Sequence, residues 1–306
     1  MPLDPEVAAY LERQKSQPPR SSLDVAATRE VMRRGAALAG SAPPLARVED
    51  VALPGSLRAR QYWPALGAGL PLVVYFHGGR FFSGDLESHD TLCRMLALSA
   101  VCSVLAVDYR LAPEHRFPAA AEDAYTAVEW ALGKGAPVGV AGDSAGANLA
   151  AGAALEFRGS ALQCQLLIYP MLDPTCSSPS FVEFGEGYGP GAADMRRGWS
   201  EYRPESSPLS AEDVRGVAPA FVMTAEYDTL RDEGEAYARR LVQSGNPVQV
   251  RRYLGTIHGF FTMQAILQVA REALRDAGAF LRERLIVTER LPAHPPPAAP
   301  SDCPAR

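Results

Sequence analysis

Along this chain, short apolar runs alternate with longer stretches in which apolar positions recur every three or four residues. The short runs are LVVYF (72–76), SVLAVDY (103–109), VGVAG (138–142), CQLLIY (164–169), AFVMTAEYD (220–228) and VQVRRYL (248–254). Each is rich in β-branched and aromatic residues and reads as a strand. The stretches between them read as amphipathic helices: SHDTLCRMLALSA, with Leu92, Met95, Leu96 and Ser99 on one face, AAAEDAYTAVEWAL ending at Gly133, and RDEGEAYARRLVQS ending at Gly245. Both glycines sit where a helix commonly closes in a left-handed residue. A last amphipathic helix is expected over about 262–284. Strand and helix in alternation predict an α/β fold, a mostly parallel sheet flanked by helices.

Three segments break the alternation. Residues 1–45 hold one or two polar amphipathic helices (5–16, 24–38) with Pro-containing links. Residues 175–215 are rich in Ser, Gly, Pro and charge, with Phe181, Phe184, Tyr188, Trp199 and Tyr202 scattered among them. So long an irregular insertion inside a compact domain reads as a lid or binding element. The end of the chain, 287–306, carries six prolines from 292 onward and is expected to be a disordered tail.

Composition narrows the class. The 306 residues carry 30 basic and 35 acidic side chains, a net charge of −5. No basic field is available for nucleic acid or an anionic membrane surface. No apolar stretch is long enough to span a bilayer, and the N-terminal MPLDPEVAAY lacks a signal-peptide pattern. A soluble cytoplasmic protein without stable membrane association is expected, as a monomer or a homodimer. The five cysteines (93, 102, 164, 176, 303) form no C-x-x-C pair and read as reduced, mostly buried residues. The five histidines (77, 89, 115, 258, 294) show no zinc-ligand spacing, so no metal site is expected.

One candidate for chemistry is Gly142-Asp143-Ser144-Ala145-Gly146, between the strand VGVA and the helix NLAAGAALEF. G-x-S-x-G is weak alone; at a strand-to-helix turn it lifts the central hydroxyl, here Ser144, above the sheet edge. Negative charge developing there is favoured by the helix N-terminus. A nucleophilic serine also needs oxyanion donors and a base. His77-Gly78-Gly79-Arg80, directly after LVVYF, offers backbone N–H groups, and Ala145 offers another. Of the histidines, His294 lies in the Pro-rich tail, His89 and His115 lie in polar, turn-like sequence and read as structural or exposed, and His77 braces the glycine turn. His258, in the loop after VQVRRYL, remains as the base. The acid that orients it should end a strand between the two; Asp228 does so and is preferred over Asp173 and Asp232. Asp143 reads as a hydrogen-bonding residue within the serine turn rather than a metal ligand.

Taken together and in order, HGGRFFSGDLESHD (77–90), VDYRLAPEHRFPAAAEDAY (107–125), GDSAGAN (142–148), LIYPMLD (167–173), YDTLRDEG (227–234) and IHGF (257–260) resemble the hormone-sensitive-lipase-like branch of the α/β-hydrolases. The resemblance runs from the first residues to about 284. It implies the α/β-hydrolase fold with a helical cap, so that 46–174 and 216–286 form the core while 1–45 and 175–215 form two parts of the cap. It implies Ser144, Asp228 and His258 as a catalytic triad, and backbone N–H groups of Gly79, Arg80 and Ala145 as the oxyanion hole, with His77 and Gly78 supporting. It implies no cofactor, and a small-molecule ester of short to medium acyl chain as the substrate. Acyl transfer or hydrolysis of another acyl bond is the alternative chemistry; a catalytically silent receptor is the alternative class, disfavoured because His258 is retained. The chain departs from the family where Arg80 stands in place of a third glycine; its side chain either tunes the mouth of the pocket or points to solvent, and the second is preferred. It departs also at Ala147, which replaces a glycine, and in the short connection GKGAPVGV. The cap aromatics are expected either to line the acyl pocket or to form a small core of the cap itself.

Overall fold

The computed structural model describes residues 2–17, 20–67 and 69–286. The expected tail, with His294 and Cys303, lies outside the described residues. Eight strands form one sheet: β1 (Arg47–Ala52), β2 (Arg58–Trp63), β3 (Leu72–Phe76), β4 (Ser103–Asp108), β5 (Val138–Asp143), β6 (Leu162–Ile168), β7 (Ala220–Tyr227) and β8 (Val248–Ile257). Their spatial order is β1-β2-β4-β3-β5-β6-β7-β8. β1, β2 and β4 pair antiparallel, and every other neighbouring pair is parallel. The six strands expected from the apolar runs are all present. β1 and β2 are additional: RVEDVA and RARQYW are each half polar and partly exposed, with their apolar residues scattered, so they carry little apolar signal.

The helices are α1 (Pro5–Gln14), α2 (Val25–Gly35), α3 (Leu86–Ala100), α4 (Ala119–Leu132), α5 (Ala145–Glu156), α6 (Pro179–Glu183), α7 (Ala192–Tyr202), α8 (Arg231–Gln243) and α9 (Gln268–Leu285). Alternation along the strands splits the core into two layers. Leu72, Val74 and Phe76 of β3 face α4, α5 and α8 on one side. Val73 and Tyr75 face α3 and α9 on the other. α5 is short-chained and buried almost all round, with Ala at six of its twelve positions. Alanine is the strongest helix former, and its small side chain lets α5 lie close against the sheet.

Several boundaries differ from those expected. The last helix begins at Gln268, because Phe260–Thr262 form a separate 3₁₀ turn. The insertion 175–215 is not wholly irregular; it contains α6 and α7. Gly245 follows α8 at φ +81°, as expected, whereas Gly133 stays right-handed at φ −66°. On α3 the buried stripe is Leu92, Cys93, Leu96, Ala97 and Ala100, and Met95 and Ser99 flank it half-buried. The four described cysteines are free and buried.

The parallel strands all point the same way, so the loops after β3, β5, β7 and β8 gather at one edge. Crevices outside the carboxyl ends of parallel strands are where α/β sheets bind ligands.

Leu96 on α3 is fully buried, whereas Leu98 two residues on is 42% exposed. Leu96→Ala is expected to cost about 3 kcal/mol in urea unfolding, and Leu98→Ala less than about 0.5 kcal/mol. Equal losses would contradict the assigned face of α3.

Candidate active site

β5 ends at Asp143 and α5 begins at Ala145, leaving Ser144 alone to reverse the chain. It does so at φ 54°, ψ −117°, a conformation unfavourable for a side-chain-bearing residue. Surrounding contacts hold it there. Ser144 N–H donates to the Ile168 carbonyl at 2.9 Å, and the Ser144 carbonyl accepts from Met171 at 3.1 Å. The turn is so tight that a Cβ on Gly146 would lie 1.9 Å from the Phe76 carbonyl oxygen. Only glycine fits where α5 starts against β3.

Four loops then converge. His258, just past β8, places Nε2 3.1 Å from Ser144 Oγ and Nδ1 2.8 Å from Asp228 Oδ2, just past β7. Asp228 is 1% exposed and His258 6%. An ionised carboxylate only accepts, so the neutral ring carries its proton on Nδ1, and Nε2 is the acceptor facing the serine hydroxyl. The second Asp228 oxygen accepts from Leu230 N–H at 2.9 Å, which fixes the carboxylate plane. The other acids considered are engaged elsewhere. Asp173 accepts from Thr175, and Asp232 accepts from Ser180 N–H and Arg231.

The loop after β3 holds the candidate donors. Gly79 has φ +136° and its Cβ would lie 1.9 Å from the Ser83 carbonyl oxygen, so glycine is obligatory there. Arg80 follows at φ +57° and Phe81 at φ +65°. The left-handed region costs each of these L-residues roughly 1–2 kcal/mol. Among the described residues, no hydrogen bond engages the backbone N–H of Gly79, Arg80 or Ala145.

The loop is anchored from beneath by Asp143, whose role is larger than a bond within the serine turn. Its Oδ1 accepts from Gly78 N–H and from the Tyr75 hydroxyl, both at 2.8 Å, and His89 Nε2 stands 3.4 Å away. Burial alone would raise this carboxyl, but His89 and the two donors outweigh it and hold the pKa below its ordinary value. His77 donates from Nδ1 to the Gly78 carbonyl at 2.9 Å and stacks on Tyr109, with centroids 4.4 Å apart. The Tyr109 hydroxyl in turn donates to the His77 carbonyl at 2.7 Å. His77 thus braces the glycine turn. His89 is a buried residue of α3, whereas His115 is exposed.

Two further residues were not singled out in the sequence. Glu233 is buried, and its Oε1 accepts from Leu172 and Asp173 N–H at 2.5 and 3.1 Å. Burial pushes its pKa well up. Asp194 on α7 meets Arg80, which is 6% exposed and whose side chain does not point to solvent. The solvent expectation for Arg80 is therefore corrected: Nη1 donates to Asp194 Oδ1 at 2.9 Å, and the guanidinium lies over the Phe82 ring at 4.9 Å. Such a contact in a protein interior desolvates the cation, and burial brings its pKa down to about 10. Of the aromatics in 175–215, Trp199 and Tyr202 pack onto Phe81, whereas Phe184 and Tyr188 pack with Tyr227.

A serine at a strand-to-helix elbow, relayed through histidine to a buried carboxylate and facing unused backbone donors, is the arrangement of a serine hydrolase. Comparison with known proteins agrees. The family model for the alpha/beta hydrolase fold matches residues 73–262, and the chain belongs to that family. Within it, the chain is a member of the hormone-sensitive-lipase-like carboxylic ester hydrolases. It is 40% identical over 244 residues to the carboxylic ester hydrolase LipN of Mycobacterium tuberculosis, covering 71% of this chain and 65%, just under two thirds, of that relative. It is 35% identical over 308 residues to an ethyl acetate hydrolase of Pseudomonas putida, covering 90% of this chain and 96% of that one. Among solved structures, a hyperthermophilic esterase from the archaeon Pyrobaculum calidifontis superposes with a TM-score of 0.86 at 40% identity, over 94% of this chain and all of that one.

Burial of His77 gives the site a pH signature. Its ring, ordinarily titrating near 6.5, is pushed down to about 4 because burial disfavours the cation and His89 adds to the effect. Below pH 6.5 the unfolded chain takes up a proton that the folded chain refuses. Stability is therefore fully retained above pH 6.5 and falls by about 3 kcal/mol as pH drops toward 4. Urea midpoints measured across that window should fall less steeply in His77→Gln than in the parent, and parallel slopes would contradict the assignment.

Proposed function

We propose that the chain is a serine carboxylesterase in which Ser144 is the nucleophile, His258 the general base and Asp228 the residue that orients and stabilises the imidazolium. His258 Nε2 takes the Ser144 proton as Oγ attacks the ester carbonyl. The carbonyl oxygen becomes an oxyanion that accepts from the N–H groups of Gly79, Arg80 and Ala145. Collapse of this intermediate breaks the bond to the alcohol oxygen, which leaves with the proton held by His258. The acyl group stays on Ser144 until water, deprotonated by the same ring, attacks it and regenerates the serine. The observation that carries this reading is the relay itself, at 3.1 and 2.8 Å, beside unengaged backbone donors. Preorganised donors of this kind are typically worth ~10²–10³ each in rate.

Residues 1–45 and 175–215 form the cap over the acyl pocket. The core is 46–174 and 216–286. The relative named as an ethyl acetate hydrolase supports short- to medium-chain esters as substrates. The residues in place supply every acid–base and electrostatic role, so no cofactor is invoked. No helix among the described residues is long and apolar enough to cross a membrane. The free, buried thiols support a reducing, cytoplasmic setting. A net charge of −5 supports small-molecule substrates rather than polyanionic partners, with the chain acting as a monomer or homodimer.

A p-nitrophenyl ester series from acetate to decanoate tests this. The parent should turn over the short esters best and lose Ser144 to a fluorophosphonate label. Ser144→Ala should lower kcat by at least ~10³, and Asp228→Asn by about 10⁴. An unlabelled, inactive parent would refute the reading, and product appearing mainly as a new ester in added alcohol would favour acyl transfer.

A further inference from the structure

Arg80 has one atom in the reaction and the rest of its side chain elsewhere. Its backbone N–H faces the position of the oxyanion, while its guanidinium reaches helix α7, where Asp194 accepts at 2.9 Å. Asp194 is itself fixed, because its other oxygen accepts from Gly191 N–H at 3.1 Å, at the start of the same helix. One turn further along α7 lies Gly198. A Cβ placed there would stand 2.8 Å from the Arg80 Cβ and 3.1 Å from the Arg80 carbonyl oxygen. The helix therefore presses directly on the backbone of the oxyanion residue, and only the missing side chain of Gly198 makes room for that of Arg80. Glycine in the middle of a helix is otherwise unfavourable, so its presence here calls for such a packing cause.

The contact continues on both sides. Phe81 stacks on Tyr202 of α7 with centroids 3.9 Å apart and planes 6° from parallel, and it tilts against Trp199 at 5.3 Å. Arg197, also on α7, covers the opposite neighbour Phe82 at 5.0 Å. From the N-terminal segment, Arg29 donates to the Phe82 carbonyl at 2.9 Å. Residues 80–82 are thus gripped from α2 and from successive turns of α7. Any rigid shift of α7 is passed to a backbone that already sits in the left-handed region and has no slack to absorb it.

We propose that Arg80 is a positioning residue: clamped to Asp194 and seated against Gly198, its side chain locks helix α7 to the oxyanion loop, so that the Arg80 N–H reaches its catalytic position only when the cap helix is seated. The proposal rests on the esterase reading above. A latch of this kind acts on the transition state, where an oxyanion exists, more than on the bound ester. Its loss is therefore read in kcat rather than KM.

The experiment is a double-mutant cycle of Gly198→Ala with Arg80→Gly, joined by Asp194→Asn, with kcat and KM on p-nitrophenyl acetate measured well below each Tm. Gly198→Ala in the parent should lower kcat about tenfold or more with KM changed less than about threefold, because the new methyl displaces Arg80 and its N–H. In the Arg80→Gly background the same methyl should cost less than about threefold, since the Cβ collision is gone. Asp194→Asn should lower kcat with little change in KM. Equal costs of Gly198→Ala in both backgrounds would overturn the latch, as would effects confined to Tm. If Gly198→Ala does not fold, unchanged kcat in both Asp194→Asn and Arg80→Gly would overturn it as well. A parent that turns over esters while these effects are additive fails the latch alone. A parent with no turnover and no phosphonate label at Ser144 fails the esterase reading and the latch with it.

Discussion

The site depends on the close approach of two chain reversals, the one that follows β3 and the one that carries Ser144 after β5. The two strands are parallel neighbours, so their ends emerge side by side, and the turns beyond them are packed backbone to backbone. A Cβ at Gly146 would strike the Phe76 carbonyl, and one at Gly78 would lie 2.3 Å from Asp143 Oδ2. The hydrogen bond from Gly78 N–H to Asp143 then ties one turn to the other. The proposed nucleophile and oxyanion donors are consequently not placed independently. They are two parts of one packed unit, and the strained backbone of Ser144 and Arg80 is held by packing that has no looser alternative nearby.

Electrostatics follow from that packing. Sinking Asp143 beneath the loop would be costly for an unpaired carboxylate, and the Tyr75 hydroxyl, Gly78 N–H and the neighbouring His89 offset the cost. Asp228 is buried in the same way but spends its charge on a different partner, the Nδ1–H of His258. In the proposed mechanism the two carboxylates therefore divide the work, one holding the donors and the other holding the base. Above them, α7 closes the third side through Arg80 and Phe81, so this helix contributes to the geometry of the loop after β3.

Much of this was legible in the sequence because the chemistry sits where periodicity changes. Ser144, Asp228 and His258 each follow an apolar run, and each run is a strand pointing to the same edge. Glycines at 79 and 146 fell in the two turns that these motifs marked. Other parts left weaker traces. β1 forms the sheet edge with β2 beside it, both are partly exposed, and neither carries an apolar run. His89 stands in a polar-looking stretch, LESHD, yet the helix that begins there turns it inward beneath the oxyanion loop. Arg80 was misjudged because a lone arginine in a glycine-rich turn usually reaches water; its partner, Asp194, is more than a hundred residues away and in a segment without clear periodicity. Long-range ion pairs of this kind have no local pattern in a single sequence.

The central claim is that Ser144, the relay behind it and the three backbone donors act on one reacting carbonyl. The most direct measurement is a crystal structure of the protein inactivated by an alkyl phosphonate, whose tetrahedral adduct mimics the charged intermediate. The phosphorus should be bonded to Ser144 Oγ, with one phosphonyl oxygen about 2.7–3.1 Å from the N–H groups of Gly79, Arg80 and Ala145. An adduct on another residue, or a phosphonyl oxygen turned to solvent away from all three, would contradict the account.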